Sequence, residues 1–344
     1  MSAALAEGFR LPESGEARVP PEARGLARDE VRLAVVSPEL TRHLRADALP
    51  DLFHPGDLLV VNTSATLPAA VELERRGCPA TLHVSTQLDD GSWVVELRRG
   101  DGAGPDAGEP GEVLRLPGGV RLRLDAPHPT GQTRLWRAVP LPAADVVDYL
   151  PEHGRPIRYP YVEGAWPLES LQNVYADRPG SAEMASAGRP LTEQALVRLM
   201  TRGVPVVPIA LDTGVSSQES HEPPQPERFT VPAATARLVN STLAAGRRVV
   251  AVGTTVVRAL ESAAAGGRVH ATTGWTSLIL GPQRPATVVG GLLTGLHEPE
   301  ASHLDLLAAV AGGDLVSRGY ADITGTDAPT YLWHEFGDSM LLLP

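Results

Sequence analysis

VVAVGTTVVRALESAAAGG occupies residues 249–267. Four apolar, mostly β-branched residues run without alternation into Gly253-Thr254-Thr255, as in a strand buried on both faces. Val256, Val257, Leu260, Ala263 and Ala264 then recur at helical spacing and form one apolar stripe. Gly253 permits the tight corner between the two elements, and Gly266-Gly267 closes the helix. A strand turning through glycine into a helix is the unit of a parallel α/β sheet, whose ligands gather at such corners. Two readings of this corner stand. In one, uncapped N–H groups, the Thr254 and Thr255 hydroxyls and the Arg258 guanidinium, outside the stripe, hold a carboxylate or phosphate. In the other, a threonine caps the helix and Arg258 pairs with a nearby carboxylate such as Glu261.

The same pattern recurs on both sides. In HPGDLLVVNTS (54–64) a turn leads into a buried strand that ends on Asn62-Thr63-Ser64. VPVVPIAL (204–211) reads as another strand. LTEQALVRLMTRG (191–203) predicts a helix with Thr192 as its cap and a glycine stop. Further helices are expected over 143–150, 232–245 and 301–313. VRLAVV (31–36) is followed by PELTRHLRADALPDLF (38–53), read as a helix. Residues 68–140 differ, with short runs of alternating character separated by turn residues and a hairpin signal at Leu116-Pro117-Gly118-Gly119-Val120. DGAGPDAGEPGE (101–112) reads as a flexible loop, and residues 1–25 as a loosely held arm. The expected fold is α/β: a main domain, residues 1–66 and 143–344, carrying an inserted antiparallel β-barrel-like domain at 67–142.

Composition narrows the chemistry. The chain has 344 residues, 42% of them hydrophobic, and a formal net charge of −11. That charge argues against broad non-specific binding to nucleic acid, yet allows a local basic groove. All 30 basic residues are arginine, which excludes a lysine Schiff base and a P-loop lysine. The single Cys78 excludes a disulfide framework. His297 and His303, separated by Pro299, match no metal-ligand pattern, and no metal is expected. The five tryptophans are scattered and read as packing residues. The amino-terminal stretch lacks the apolar core of a signal peptide, and no segment is apolar enough to span a bilayer. The expectation is a cytoplasmic protein, monomeric or a small homo-oligomer, without membrane partners.

AVGTTVVRALES (251–262) resembles a signature of the S-adenosylmethionine:tRNA ribosyltransferase-isomerases of queuosine biosynthesis. RDEVRLAVV (28–36), FHPGDLLVVNTSATLPAAV (53–71), LQNVYADRPGSAEMASAGRPLT (171–192), TGLHEPEASHLDLLAAVAGG (294–313) and YLWHEFGDSMLLL (331–343) are similar to further segments of that family, in the same order. The resemblance covers nearly the whole chain. It implies an α/β domain with an inserted barrel-like domain and S-adenosylmethionine as co-substrate. In this chemistry the sulfonium acidifies the 5′ carbon, a base removes a 5′ proton and adenine leaves. An amine of a deazaguanine base in tRNA then attacks the sugar, which rearranges as methionine departs. The matching positions nominate Arg28, Asp29, Asn62, Thr63, Ser181, Gly253, Thr254, Thr255 and Arg258 for substrate binding, and His297, Glu227 and Asp338 as acid or base. If Arg258 holds the donor, Arg258→Ala weakens its binding by about 1.5–3 kcal/mol.

The chain also departs from the family's pattern. Ala187-Gly188-Arg189-Pro190-Leu191-Thr192 lacks a histidine and an aromatic ring. PIALDTGVSS (208–217) lacks a histidine, and SHEPPQPERF (220–229) keeps His221 and Glu227. An acid, Glu300, stands where the family has a lysine. These changes keep open a paralogue that uses a small acceptor or cleaves the donor, and a catalytically silent binding protein of the same fold.

Overall fold

Leu58–Asn62, buried along its whole length, lies near the middle of a nine-stranded sheet. The computed structural model describes residue 9 and residues 15–100, 104–216, 225–299, 301 and 303–344. His221 and Glu300 lie outside the described residues. Strand order is Thr272–Thr276, Glu227–Val231, Val206–Leu211, Leu58–Asn62, Val249–Val252, Gly291–Gly295, Ser339–Leu342, Arg32–Val36 and Thr41–Arg45. The four strands from Val206–Leu211 to Gly291–Gly295 run parallel. Ser339–Leu342 turns antiparallel to them and pairs in parallel with Arg32–Val36. Unalternated Val, Leu and Ala suit strands covered on both faces. One cover is formed by Ala233–Ala244, Thr254–Ser262 and His303–Ala311, whose apolar residues share one core cluster. Leu191, Leu199 and the Ala46–Leu52 turn pack on the other face.

A second sheet is built from Ala70–Arg75, Cys78–Gln87, Trp93–Arg99, Leu135–Leu141, Arg121–Pro127 and Val113–Arg115, antiparallel throughout. Its first and last strands lie against each other, giving a nearly closed barrel around its own core. Arg75 seals the seam. Its buried guanidinium holds both Glu112 oxygens at 2.7 and 2.8 Å, Asp106 at 2.5 Å and the Ala107 carbonyl at 2.7 Å. Inside this sheet Glu96 is buried and clasped by His83, Arg98 and Arg134 at 3.2, 3.0 and 2.8 Å. Burial alone would raise the Glu96 carboxyl, but hydrogen bonds from His83 and Arg134 outweigh it and hold it at about 2.

Four expectations about elements need correction. Gly266-Gly267 does not close the helix, which ends at Ser262; the two glycines turn a short hairpin of Ala264–Ala265 with Arg268–Val269. Residues 38–53 are not a helix: Thr41–Arg45 pairs with Arg32–Val36 as an edge strand, and Ala46–Leu52 is 3₁₀ with Pro50 inside. Leu40, Leu44, Leu49 and Phe53 have near-helical spacing, but sheet pairing prevails and Pro50 has no N–H to continue a helix. Residues 104–112 are no free loop, because Arg75 and Arg76 pin Asp106, Glu109 and Glu112. The expected arm is docked from residue 15. The Ala17 N–H donates to the Trp333 carbonyl at 3.2 Å, and Glu22 pairs with the buried Arg189 at 2.9 Å. Among the described residues, no helix is long and apolar enough to cross a membrane.

Candidate active site

Four parallel strands end at one sheet edge, on Leu211, Asn62, Val252 and Gly295. The amino ends of Arg32–Val36 and Ser339–Leu342 reach the same edge, since Gly295 pairs with Ser339. Gly253 adopts φ +88°, which glycine alone tolerates easily. It enters the helix Thr254–Ser262 with no side-chain cap, so the first N–H groups stay uncapped. The Thr255 hydroxyl oxygen is buried and has no hydrogen-bond partner among the described residues. The threonine-cap reading is therefore corrected. Ala187 covers the corner; a Cβ on Gly253 would sit 3.4 Å from it.

Beside the corner lies a small, partly open polar cleft, lined by Arg28, Ser186, Arg189, Gly295, Glu335 and Asp338 among others. Arg28 donates to the carbonyl of Gln172 at 2.8 Å and to Glu22 at 3.3 Å. Glu335 belongs to a tight loop. The Asp338 N–H donates to the Leu332 carbonyl, and the Leu332 N–H returns a bond to the Asp338 carboxylate, both at 2.7 Å. Within that loop His334 takes φ +73°, an uncommon conformation for a side-chain-bearing residue. The Tyr161 hydroxyl donates to Glu335, and the Tyr161 ring stacks on His334 at 4.1 Å. Burial first, and Glu183 second, raise the Glu335 carboxyl to about 7 against the opposing bond from Tyr161.

Of the residues nominated from sequence, Arg28 and Asp338 line this cleft. Asp338 spends both oxygens on the N–H groups of Arg32 and Leu332, so it fixes the loop; burial raises its carboxyl despite those bonds. Asp29 accepts from the Thr192 hydroxyl at 3.0 Å, beneath the helix Glu193–Thr201. Asn62 bridges strands, donating to the Leu211 carbonyl and accepting from the Leu211 and Ser64 N–H groups. The Thr63 hydroxyl donates to Ile209 at 3.2 Å. Ser181 takes part in a buried relay: Thr213 N–H to Ser181, Ser181 to Ser64 at 2.8 Å, and Ser64 to Asp212 at 2.7 Å. Burial raises the Asp212 carboxyl.

Arg258 does pair with a carboxylate, but with Glu227 and not Glu261. The Glu261 carboxylate accepts from the N–H groups of Thr287, Val288 and Val289. Arg258 does not lie on an exposed face. It is buried, paired with Glu227, and donates to the carbonyls of Leu278, Gln225 and Thr276 at 3.2, 3.2 and 3.4 Å. Burial raises the Glu227 carboxyl, while Arg258 opposes the shift. His297 lies past Gly295, bonded to the Thr294 hydroxyl at 2.9 Å and stacked on His303 at 4.6 Å. Burial pushes its pKa well below the usual histidine range, with the charges of His303 and His334 adding to the effect. The nominated residues thus line one sheet edge without converging on one point. Glu335, Tyr161 and Arg189 were not nominated. The string around Asp338 was the available signal, since Glu335 lies three residues before it.

The family model for queuosine biosynthesis proteins matches residues 7–342. This chain belongs to that family. Among similar queuosine biosynthesis proteins, the S-adenosylmethionine:tRNA ribosyltransferase-isomerase of Thermus thermophilus is 35% identical over 333 residues, covering 92% of this chain and 93% of its own. That of Acaryochloris marina is 31% identical over 353 residues, covering 98% and 92%. The crystal structure of the S-adenosylmethionine tRNA ribosyltransferase from Thermotoga maritima aligns with a TM-score of 0.54 at 27% identity, over 98% of this chain and 100% of that one. The α/β sheet with its barrel-like companion is therefore the architecture of this family. In the stretch that departs from the family pattern, Pro190 and Arg189 line the polar cleft.

Proposed function

We propose that this chain is an S-adenosylmethionine-dependent ribosyltransferase-isomerase that transfers and rearranges the donor's ribosyl group onto a deazaguanine amine of tRNA, at the polar cleft. Membership of the family over almost the whole length supports the reaction. The observation that carries the site is Glu335: a carboxyl held near neutrality inside a cleft at the carboxyl edge of parallel strands. A base of that kind suits removal of a carbon-bound proton at working pH. The cleft is far too small to hold the whole donor, so the donor extends along the sheet edge toward Gly253. There the uncapped Thr254 and Thr255 N–H groups and the unpartnered Thr255 hydroxyl suit the methionine carboxylate, with Arg28 at the far side. Asp338 fixes the loop that carries Glu335, and Asp29, Asn62, Thr63, Ser181, Glu227, Arg258 and His297 order the strand ends and loops along the same sheet edge. We take residues 1–66 and 143–344 as one α/β unit and 67–142 as its insert.

Calorimetry should show saturable binding of S-adenosylmethionine. Glu335→Gln should keep that binding and slow adenine release about 10²–10⁴-fold. Unimpaired release in Glu335→Gln removes Glu335 from the chemistry, and no heat at millimolar donor removes the whole reading.

A further inference from the structure

A second, open cleft lies behind the wall made by Tyr161, Glu335 and Phe336. Ile157, Tyr159, Val162, Trp166 and Phe336 are among its sides, and Arg155 and Arg158 also line it. The wall is shared: Phe336 lies under the Arg189 guanidinium at 5.0 Å, and Tyr159 stacks on Tyr161 at 5.6 Å. Arg189 and Glu335 line the polar cleft, so the two clefts stand back to back.

The two arginines differ. Arg155 is paired with Glu72. Arg158 is exposed and, among the described residues, carries no ion pair. On a chain of net charge −11, an uncommitted guanidinium beside an aromatic-walled hollow favours a ligand that joins a planar ring to a negative charge. S-adenosylmethionine has an adenine ring, but its carboxylate sits at the far end of the methionine chain beside an ammonium and a sulfonium, leaving the molecule net positive. A nucleotide of single-stranded RNA carries a net negative phosphate one sugar away from its ring.

We infer that this cleft seats an unpaired, unstacked base of the tRNA substrate, with Trp166 or Tyr159 against the ring and Arg158 on the adjoining phosphate. The inference rests on the reading of tRNA as substrate. Stacking on aromatic side chains and arginine contact to phosphate are the ordinary means of holding unpaired RNA, and the free arginine answers the chain's overall repulsion of nucleic acid.

The test measures equilibrium binding of deazaguanine-bearing tRNA and, separately, of S-adenosylmethionine, for wild type, Arg158→Ala, Trp166→Ala and Trp166→Phe, with melting curves to confirm folding. Arg158→Ala should weaken tRNA binding several-fold and reduce the slope of log affinity against log salt by about 0.7, one phosphate's worth. Trp166→Ala should cost at least about 5-fold in tRNA affinity with the salt slope unchanged. Trp166→Phe should stay within about twofold, because a ring remains. Donor affinity should not move in any variant. Unchanged tRNA affinity in both alanine variants overturns the inference, as does a loss of donor affinity in Trp166→Ala with tRNA unaffected, which would make the cleft the adenine pocket. Wild type that binds tRNA yet releases no adenine from the donor defeats the enzymatic reading and leaves the subsite standing; wild type that binds no tRNA defeats the subsite.

Discussion

Arg258→Ala distinguishes a ligand-binding arginine from a structural one. Arg258 is buried beside Glu227, and its remaining donors reach the carbonyls of Leu278, Gln225 and Thr276. Truncating it strands a buried carboxylate and three carbonyls. Breaking a buried pair from one side costs about 3–5 kcal/mol. At about 2–4 °C per kcal/mol for chains of this size class, the melting midpoint falls on the order of 10 °C. Burial already pushes the Glu227 carboxyl up. With Arg258 gone, Glu227 should take up a proton and the lost stability should shrink as the pH is lowered. Arg258→Ala with Glu227→Gln should recover roughly half the loss, because the charge disappears while the carbonyls stay unpartnered. Urea unfolding of wild type, both single variants and the double variant completes the cycle. Wild-type stability in Arg258→Ala, together with a donor affinity weakened by about 1.5–3 kcal/mol, would refute this reasoning and return Arg258 to the ligand.

Glu335, raised to about 7 from 4.5, keeps a proton in the folded protein that the unfolded chain releases. Its contribution should be fullest below pH 4.5, fall by about 3 kcal/mol up to pH 7 and stay level beyond; denaturation of Glu335→Gln beside wild type should lack that fall. Glu96, held at about 2, has the opposite sign: its contribution of about 3 kcal/mol is present above pH 4.5 and disappears toward pH 2. Glu96→Gln should therefore be less stable than wild type at pH 7 and converge with it in acid, as read by urea midpoints. Gly253→Ala has room for its methyl but not the backbone angle, and should lose about 1–3 kcal/mol in the same assay.

Much of this was legible in the chain because local signals agreed with the final environment. VVAV and LLVV are buried on both faces, and each ends on a corner at the same sheet edge. Thr192 caps its helix as its position implied. The helix expected over 38–53 failed because pairing with Arg32–Val36 is a long-range choice that near-helical spacing cannot reveal. The burial of Arg258 was not legible for a related reason. Its helix position places it off the apolar stripe, but Glu227–Val231 and the segment reaching Leu278 fold over it and bury it. Glu335 was passed over because its chemistry depends on Tyr161 and Glu183, 174 and 152 positions away in sequence.

The Arg75 latch implies how the barrel comes apart. Where a hydrogen-bonded ladder would close most barrels, here one guanidinium grips acidic groups across the gap. Arg75 holds the Glu112 carboxyl below its ordinary range, so strong acid, by neutralising it, unfastens the join. Two strand borders then lie bare, and bare borders recruit neighbouring molecules. The insert thus carries its own acid-sensitive clasp, separate from anything that stabilises the larger sheet.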